Sequence, residues 1–395
     1  MTSPPTPGPF RYGVLGAGMQ GCAAGYDLVR RGEGARVTFF DRDPRAARTA
    51  ADRVNRLLGA DVAEAAAVDA RDGDSLAAVF AGLDGVLSAA PYALNPVAAQ
   101  AAVAARACFN DLGGNTDVVR ATLALDDAAR AAGVSVVPDC GLAPGLGNAL
   151  AAHLVATTPG ARRVRVRCGG LPQTPRPPLG YKLVFHVGGL TNEYTGEAEF
   201  LRGGRLVRVP TITELEPMEF APPVGKVEAA VTSGGTSTAP ETFKDRLDSY
   251  DYKTVRYPGH WAQIRTLLDL GLLEEAPVDV DGRPVRPRDV FHAVVAPRLR
   301  FPDDKDLVVL RVECDGVSGG RPTTRRLELY DVHDDATGFT AMERTTAFPA
   351  AAVLHFQVSG RIPHGAHPGE RVLPGAEYLE AVRARGLSIA ESTPG

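Results

Sequence analysis

The segment YKTVRYPGHW, residues 252–261, gathers three side chains around one Pro-Gly turn that could bind or titrate against a charged substrate. The guanidinium of Arg256 can bind a carboxylate through two parallel hydrogen bonds, which makes it a substrate-binding candidate. His260 could transfer a proton near neutral pH, and Lys253 could carry a proton or contact a second carboxylate oxygen. Both are catalytic candidates, and Tyr257 is a further candidate for substrate contact. The alternative is a charged surface turn with aromatic packing beneath it.

Two acids elsewhere could complete such a site. Asp139 follows the predicted strand VSVVP, and it could hold a substrate ammonium or act as a base. The alternative is that Asp139 caps the following helix. Glu193 follows the glycine pair of GGLTNEY, a turn that could bring its carboxylate to an ammonium, and the alternative is a solvated loop acid.

A glycine motif near the start predicts a dinucleotide site. The strand FRYGVLGAG runs into the helix MQGCAAGYDLVRRG, with Gly16, Gly18 and Gly21 spaced as G-x-G-x-x-G. These glycines allow a tight turn, backbone approach to a pyrophosphate, and close packing of helix on strand. Asp41 ends the next predicted strand and would accept the ribose hydroxyls of NAD while repelling a 2′-phosphate. Arg42 beside it could instead meet that phosphate, which keeps NADP as the alternative.

Six strands alternate with helices up to VSVVPDCG, which predicts right-handed βαβ units and a doubly wound parallel sheet of the Rossmann type. Ligands bind beyond the carboxyl ends of such strands. The cofactor-binding candidates there, besides the glycines, Asp41 and Arg42, are Met19, Gln20, Asp69, Ala89, Pro91, Leu142 and Pro144. Asp69 could accept a hydrogen bond from the adenine amine, and the alternative is a solvated strand end.

The sequence pattern changes after the sixth strand. RRVRVRCGG and YKLVFHVGG alternate as strands, FLRGGRLVRVP reads as a hairpin, and DLVVLRVEC can pair with RRLELYDV. This favours an inserted α+β substrate domain with a largely antiparallel sheet, followed by a C-terminal helix, AEYLEAVRARG, that returns to the first domain. We predict three segments: an NAD-binding domain at 1–145, a substrate-binding and dimerisation domain at 146–350, and a return segment at 351–395.

Composition excludes several classes of protein. At 395 residues the chain is long enough for two domains, and its net charge of −4 gives no electrostatic reason to expect nucleic acid or an acidic membrane as partner. Five scattered cysteines form no C-x-x-C pair, which favours a reducing compartment and argues against a structural zinc site. The start MTSPPTPGPF lacks the basic region and apolar core of a signal peptide. We expect a cytoplasmic protein that binds no metal and acts on a small molecule.

Two motifs indicate a family. The segment DCGLAPG after the sixth strand resembles the acid-x-G-L-x-P-G segment of the saccharopine dehydrogenase-like superfamily, and YKTVRYPG resembles a pattern of its lysine-specific branch, the L-lysine 6-dehydrogenases. The resemblance runs from about residue 11 to the C-terminal helix. It implies a Rossmann domain with an inserted substrate domain, NAD as oxidant, and a homodimer or larger homo-oligomer. Saccharopine-forming relatives carry an acid before the Pro-Gly, whereas Ala143 stands here, which favours a smaller amine.

The resemblance implies NAD-dependent oxidative deamination of L-lysine at its ε-amine, giving ammonia, NADH and a 6-semialdehyde that closes to the cyclic imine 1-piperideine-6-carboxylate. The amine must first lose its proton to a base or in a desolvated pocket, and the distant α-carboxylate and α-ammonium need a clamp of opposite charges. One alternative is a saccharopine or carboxyspermidine-type enzyme acting on a secondary amine, with Arg176 and Lys182 as a second carboxylate clamp. The other is an NAD-binding protein that has lost catalysis.

Overall fold

A computed structural model describes residues 10–184 and 187–393 of the chain. The N-terminal segment MTSPPTPGPF, which is predicted not to be a signal peptide, lies outside these residues except for Phe10. Residues 185 and 186 of the predicted strand YKLVFHVGG also lie outside them. The strands are β1 (Phe10–Leu15), β2 (Gly34–Asp41), β3 (Ala63–Ala67), β4 (Gly85–Ser88), β5 (Cys108–Asp111), β6 (Ser135–Val137), β7 (Arg163–Pro172), β8 (Glu197–Arg202), β9 (Arg205–Pro210), β10 (Glu216–Phe220), β11 (Gly225–Ala230), β12 (Ser249–Arg256), β13 (Val278–Val280), β14 (Arg283–Val285), β15 (Asp306–Ser318), β16 (Arg321–Val332), β17 (Gly365–Ala366) and β18 (Ile389–Ser392). The helices are α1 (Met19–Arg31), α2 (Pro44–Leu58), α3 (Gly73–Phe80), α4 (Asn95–Ala104), α5 (Thr116–Leu123), α6 (Asp126–Ala132), α7 (Gly147–Thr157), α8 (Val187–Glu193), α9 (Ala239–Phe243), α10 (His260–Asp269), α11 (Pro287–Arg298), α12 (Ala341–Val358), α13 (Gly369–Val372) and α14 (Gly375–Ala384).

The first sheet confirms the predicted Rossmann-type fold. Its strands run parallel in the order β17-β6-β5-β4-β1-β2-β3. Side chains such as Val14, Val86 and Phe109 are fully buried, as expected for short strands covered by helices on both faces. The seventh strand, β17, was not indicated by the sequence because two residues are too few to show a period.

The second sheet is mixed, and it confirms the α+β character predicted for this part. Its order is β10-β11-β12-β7-β15-β16-β18, with β8 paired to both β12 and β9. The pairs are antiparallel except for β7 with β12. The predicted β8–β9 hairpin turns at Gly203 and Gly204, whose φ angles of 56° and 71° fit a two-residue turn with left-handed backbone.

The predicted strand YKLVFHVGG is wrong in its described residues. Residues 181–184 form neither helix nor strand, and α8 begins at Val187. The alternating pattern has another origin, because Tyr181 and Val184 are buried in a cluster with Trp261 beneath α10. β7 is already paired on both edges, by β12 and by β15, so no edge of that strand remains for this segment.

The C-terminal part of the chain ties the two sheets together. α12 begins with a capping box between Thr340 and Glu343 and packs on α1 of the first domain. β17 then extends the first sheet, and β18 pairs with β16 in the second. Near α14, Arg385 Nε donates to Asp27 Oδ2 at 2.7 Å in a buried ion pair. The last residues therefore hold the relative position of both sheets.

Within the described ranges no helix is long and apolar enough to cross a lipid bilayer. No group of three or more histidine, cysteine or acidic side chains in those ranges is arranged to hold a metal ion.

Candidate active site

A cavity of about 320 Å³ lies between the two sheets, at the edge where the strands of the first sheet end. Ligands of parallel α/β sheets bind at this edge. The first domain contributes Gln20, Tyr92, Gly113, Gly114, Leu142 and Pro144 to its wall; the second contributes Cys168, Gly169, Gly170, Asn192, Glu193, Tyr252, Thr254 and Arg256; and α12 contributes Met342 and Thr346.

The glycine loop between β1 and α1 has the form that a pyrophosphate site needs. Gly16 has a φ of +94°, and a methyl group on it would lie 2.8 Å from the Ala89 carbonyl group. A methyl group on Gly21 would overlap the carbonyl oxygen of Gly16, so α1 can approach β1 only because this residue is glycine. A methyl group on Gly18 would have no protein atom within 4 Å, so the N-terminus of α1 is open to an anion. The loop therefore fits a dinucleotide.

Gly18→Ala is expected to weaken NAD(H) binding by at least about tenfold while leaving the melting temperature of the cofactor-free protein unchanged. The added methyl group meets no protein atom, but it would occupy the space through which a pyrophosphate approaches the backbone. Calorimetric titration and thermal unfolding check the two halves of this expectation. Gly73→Ala, at the first residue of α3, is a matched control because its methyl group makes ordinary contact with Val97 at 3.5 Å. Equal cofactor affinity in both variants would argue against the loop as the pyrophosphate site.

The acid that ends β2 is held by backbone groups. Asp41 Oδ2 accepts a hydrogen bond from Ala17 N and Oδ1 accepts one from Asp43 N, each at 2.9 Å. Its carboxylate is thereby fixed beside the glycine loop, where a ribose would lie. Arg42 is exposed next to it, and it makes no ion pair among the described residues.

The remaining cofactor candidates differ in their positions. Gln20, Leu142 and Pro144 line the cavity, and Ala89 lies against Gly16. Met19 is exposed at the start of α1, and Pro91 follows β4. Asp69 is occupied by Arg71, whose Nε donates to Oδ1 at 2.9 Å and which forms a second bond to Oδ2 at 2.5 Å. These bonds lower the pKa of Asp69 to about 2. An adenine amine would compete with Arg71 for this carboxylate.

Arg256, at the end of β12, reaches the cavity and is 3% exposed. Its Nε donates to Tyr194 Oη at 3.1 Å, and its Nη1 donates to the carbonyl oxygen of Val255 at 3.0 Å. Its guanidinium carbon lies 4.7 Å from the centre of the Tyr181 ring, in a cation–π arrangement. Among the residues that the structure describes, Arg256 is the only cation on the cavity wall.

Glu193 is the one acid on the described cavity wall, and it lies beside Arg256. Its Oε2 is 3.9 Å from Arg256 Nη2, which is close enough for attraction and too far for a hydrogen bond. Burial raises the pKa of Glu193 to about 7, and the nearby guanidinium opposes that rise. The cavity therefore presents a positive group and a titratable negative group side by side. This arrangement is complementary in charge to the α-carboxylate and α-ammonium of an amino acid.

The structure does not bring the other predicted site residues to this wall. Lys253 points to the opposite face of β12, where its Nζ donates to Glu214 O at 2.7 Å and to Glu216 Oε2 at 3.1 Å. Tyr257 shares that face and donates to Pro172 O. A strand turns successive side chains to opposite faces, so the odd spacing from Arg256 separates both residues from the cavity.

Asp139 is buried behind the wall. Gly113 lies between it and the cavity, and Asp139 Oδ2 accepts a hydrogen bond from Ser237 Oγ of the second domain. Burial, reinforced by the neighbouring Asp111 carboxylate, raises the pKa of Asp139 well above its usual range. Its environment therefore favours the protonated form, and its hydrogen bond with Ser237 links the two domains.

The cavity also contains residues that the sequence analysis missed. The floor is formed by Cys168, Gly169 and Gly170 of β7, and a methyl group on Gly169 would lie 2.5 Å from the carbonyl oxygen of Val255. A glycine pair inside a strand signals close approach of another chain segment or a ligand, so RCGGLP carried that information. Met342 and Thr346 come from α12, and no local pattern indicates their role.

Two family models match nearly the whole described chain. Residues 12–137 match the saccharopine dehydrogenase NADP binding domain, and residues 141–387 match the saccharopine dehydrogenase C-terminal domain. The first match identifies the N-terminal domain as a nicotinamide-nucleotide-binding domain, and the boundary between the models falls at the segment that forms the cavity wall around Pro144.

Curated proteins and solved structures are similar to this chain. The saccharopine dehydrogenase [NADP(+), L-glutamate-forming] of Pyricularia oryzae is 23% identical over 366 residues, which cover 75% of this chain and 80% of that protein. The enzyme of the same name from Saccharomyces cerevisiae is 24% identical over 233 residues, 56% of this chain and 51% of its own length. An apo structure of saccharopine dehydrogenase (L-Glu forming) from Saccharomyces cerevisiae superposes with a TM-score of 0.77 at 19% identity, over 98% of this chain and 100% of that chain. That superposition shows a shared fold.

Proposed function

This chain belongs to the saccharopine dehydrogenase family, as its sequence motifs indicated, and we propose that it is a nicotinamide-nucleotide-dependent oxidoreductase that oxidises the carbon–nitrogen bond of an amino acid. The observation that supports this proposal is the pairing of Arg256 with Glu193 on the wall of a cavity between the nucleotide-binding domain and the second sheet. Arg256 would bind the α-carboxylate of the substrate, and ionised Glu193 would hold its α-ammonium.

A nicotinamide nucleotide held by the glycine loop of Gly16, Gly18 and Gly21 would supply the hydride acceptor for the carbon that carries the reacting nitrogen. The nitrogen must be uncharged so that its lone pair can form the carbon–nitrogen double bond as the hydride leaves. The wall also carries apolar groups, among them Leu142, Pro144, Gly169 and Met342, and an apolar environment disfavours an ammonium relative to the neutral amine. The proton is released to water, and water then adds to the imine and expels the amine. In this scheme the protein supplies orientation at one end of the substrate and desolvation at the other.

Two substrates are candidates, and they differ in the number of carboxylates. The relatives are named for saccharopine, which supports a secondary amine of that type. The presence of a single cation on the described wall supports L-lysine, which has one carboxylate. Of the residues considered for a second clamp, Arg176 pairs with Asp304 at 2.7 Å and Lys182 Nζ donates to the carbonyl oxygen of Phe301 at 2.7 Å. Neither of them lines the cavity.

Reduction of NAD or NADP by the purified protein tests the proposal, with L-lysine, L-ornithine, saccharopine and lysine blocked at its ε-amine as substrates. Turnover of saccharopine would assign the secondary-amine reaction. Turnover of L-lysine with release of ammonia would assign ε-deamination. Cofactor binding without turnover of any of the four would contradict the proposed oxidoreductase and favour a nucleotide-binding protein without catalysis.

We propose NAD as the preferred cofactor, because the carboxylate of Asp41 is fixed beside the glycine loop and would repel a 2′-phosphate. The name of the family model points to NADP instead. Asp41→Ser is expected to lower the ratio of NAD to NADP efficiency by about tenfold, measured as kcat/KM for each cofactor. Asp43→Ser is the matched control, because serine also caps α2 as Asp43 does through its bond to Arg45 N. The same ratio in the wild type and Asp41→Ser would discredit this role of Asp41.

A further inference from the structure

A chain of hydrogen bonds behind the cavity wall fixes the orientation of Arg256. His260 Nδ1 lies 3.0 Å from the carbonyl oxygen of Leu179, which can only accept, so Nδ1 must carry the hydrogen. In a neutral imidazole the other nitrogen is then an acceptor. His260 Nε2 lies 3.0 Å from Tyr194 Oη, and the tyrosine must therefore donate to it. The lone pair of Tyr194 Oη remains to accept from Arg256 Nε.

This assignment uses each donor and acceptor once. It commits the Nε–H group and one Nη1–H group of the guanidinium, and it leaves three of the five N–H groups, on Nη1 and Nη2, for a ligand. These three lie at the end of the fork, the part that binds a carboxylate with two parallel bonds. The direction of that end is set by Tyr194, which is 1% exposed and cannot turn freely.

The surroundings keep His260 neutral. The side chain is 1% exposed and packs against the rings of Tyr181, Tyr194 and Trp261 at 5.1 to 5.8 Å between centroids. Burial and the adjacent positive charge of Arg256 lower its pKa to about 3. A protonated imidazole would also point a second donor at Tyr194 Oη, which already accepts from Arg256. Proton transfer to a substrate, the role that the sequence suggested, would require His260 to leave this environment.

We propose that His260 and Tyr194 are positioning residues that aim the open end of the Arg256 guanidinium at the substrate carboxylate. This inference rests on the proposed function, in which Arg256 binds that carboxylate. It assigns His260 to carboxylate recognition and excludes it from the transfer of protons. It also explains why the YKTVRYPGHW segment contains a histidine four residues after the arginine: the Pro258-Gly259 turn brings the first residue of α10 back beneath the end of β12.

The test compares the substrate amino acid with the same amine lacking its α-carboxylate, for example L-lysine and 1,5-diaminopentane. Tyr194→Phe is expected to reduce the ratio of kcat/KM between them by about tenfold, through KM of the amino acid, with kcat little changed. Tyr250→Phe is the matched control, since Tyr250 is a buried tyrosine of β12 whose hydroxyl donates to Asn148 away from the cavity. An equal ratio in the wild type and Tyr194→Phe would overturn the inference.

A second pair of variants separates positioning from proton transfer. In His260→Gln the amide oxygen can still accept from Tyr194, whereas in His260→Leu no acceptor remains. The glutamine variant is expected to keep more of the carboxylate selectivity than the leucine variant, and both should retain the wild-type dependence of kcat on pH. Loss of kcat on both substrates in the glutamine variant, with a changed pH profile, would instead identify His260 as a proton carrier.

The hydrogen-bond network of His260, Tyr194 and Arg256 can be tested even if no amine is oxidised, so its failure is distinguishable from the failure of the proposed function. In protein labelled with ¹⁵N-histidine, the ring of His260, assigned by its absence in His260→Gln, is expected to show the neutral form with hydrogen on Nδ1 from pH 6 to pH 9 at roughly constant shift. Tyr194→Phe should move the Nε2 resonance by removing its hydrogen bond. A titrating ring, or hydrogen on Nε2, would refute the network.

Discussion

Replacing Arg256 by alanine is expected to raise KM for the amino-acid substrate by about a hundredfold while leaving the dissociation constant of the nicotinamide nucleotide within about twofold. The guanidinium is 3% exposed and is the only described cation on the cavity wall, so no other described group can replace it. Without it a substrate carboxylate would be placed in an apolar cavity without a partner. Steady-state kinetics and calorimetric titration of the cofactor measure the two quantities separately.

Two further variants make this expectation specific to Arg256. Arg256→Lys keeps the charge but loses the planar fork and the bond from Nε to Tyr194, so KM should lie between those of wild type and Arg256→Ala. Lys253→Met removes a cation three residues earlier on the opposite face of β12, and KM should stay within about twofold because its partners there are Glu214 and Glu216. If Lys253→Met raises KM and Arg256→Ala does not, Lys253 would be the residue that contacts the substrate carboxylate, and Arg256 would not be part of the binding site.

Glu193→Gln is expected to raise KM by about thirtyfold above pH 7 and to remove a pH dependence of kcat/KM. The pKa of Glu193 is raised to about 7 by burial, so the carboxylate that holds the substrate ammonium forms only as the pH rises through that value. In the wild type kcat/KM should therefore increase with pH through about 7, because this ratio reports the free enzyme. Glutamine cannot ionise, so its profile should lack the step near 7 and keep only the rise that deprotonation of the substrate amine produces.

The outcome also separates two roles for Glu193. A change confined to KM identifies a residue that binds the ammonium, whereas a hundredfold or greater loss of kcat, roughly the size of a general-base effect, would make Glu193 the base. Asp139→Asn is the comparison, because Asp139 lies behind Gly113 and burial raises its pKa well above the usual range. In Asp139→Asn, kcat/KM should still rise with pH through about 7. If this rise disappears in Asp139→Asn and persists in Glu193→Gln, Asp139 is the group that titrates.

The raised pKa of Glu193 has a consequence for stability with a defined sign. A glutamate in the unfolded chain has a pKa of about 4.3, whereas the pKa of Glu193 in the folded protein is about 7. The folded protein therefore binds this proton more tightly than the unfolded chain does. The stabilisation that results is complete below the unfolded pKa and is lost as the pH rises through about 7. The difference in melting temperature between Glu193→Gln and the wild type should therefore increase as the pH is raised from 5 to 8, because only the wild type loses this stabilisation.

The nucleotide-binding domain could be predicted from local pattern. The strands β1 to β6 are short, each is followed by a helix, and the glycines that the pyrophosphate loop requires stand at fixed spacing in Gly16, Gly18 and Gly21. These signals are local, because turn residues, glycine spacing and the alternation of strand and helix patterns can be recognised among neighbouring residues. The same holds for the β8–β9 hairpin at Gly203 and Gly204.

The candidate site could be predicted only in part. The segment 252–261 is chemically rich in its residue types, but its sequence alone does not show which of its charged side chains face a cavity. The alternation of β12 sends Arg256 to the cavity and Lys253 to the opposite face, and the burial of His260 under Trp261 lowers its pKa. Which face of a strand meets a cavity depends on what packs against it.

The amino-acid sequence alone is enough to predict the Rossmann-type domain, a second sheet with α+β character, the family, and the side chains that could take part in catalysis or binding. Which of these side chains meet is visible only in the folded chain: Glu193 with Arg256 on the wall, Asp139 behind Gly113, and Met342 from a helix that follows much later in the chain. The physical reason is that propensities and turns act between neighbouring residues, whereas burial, charge pairing and pKa depend on atoms that folding brings together from distant segments.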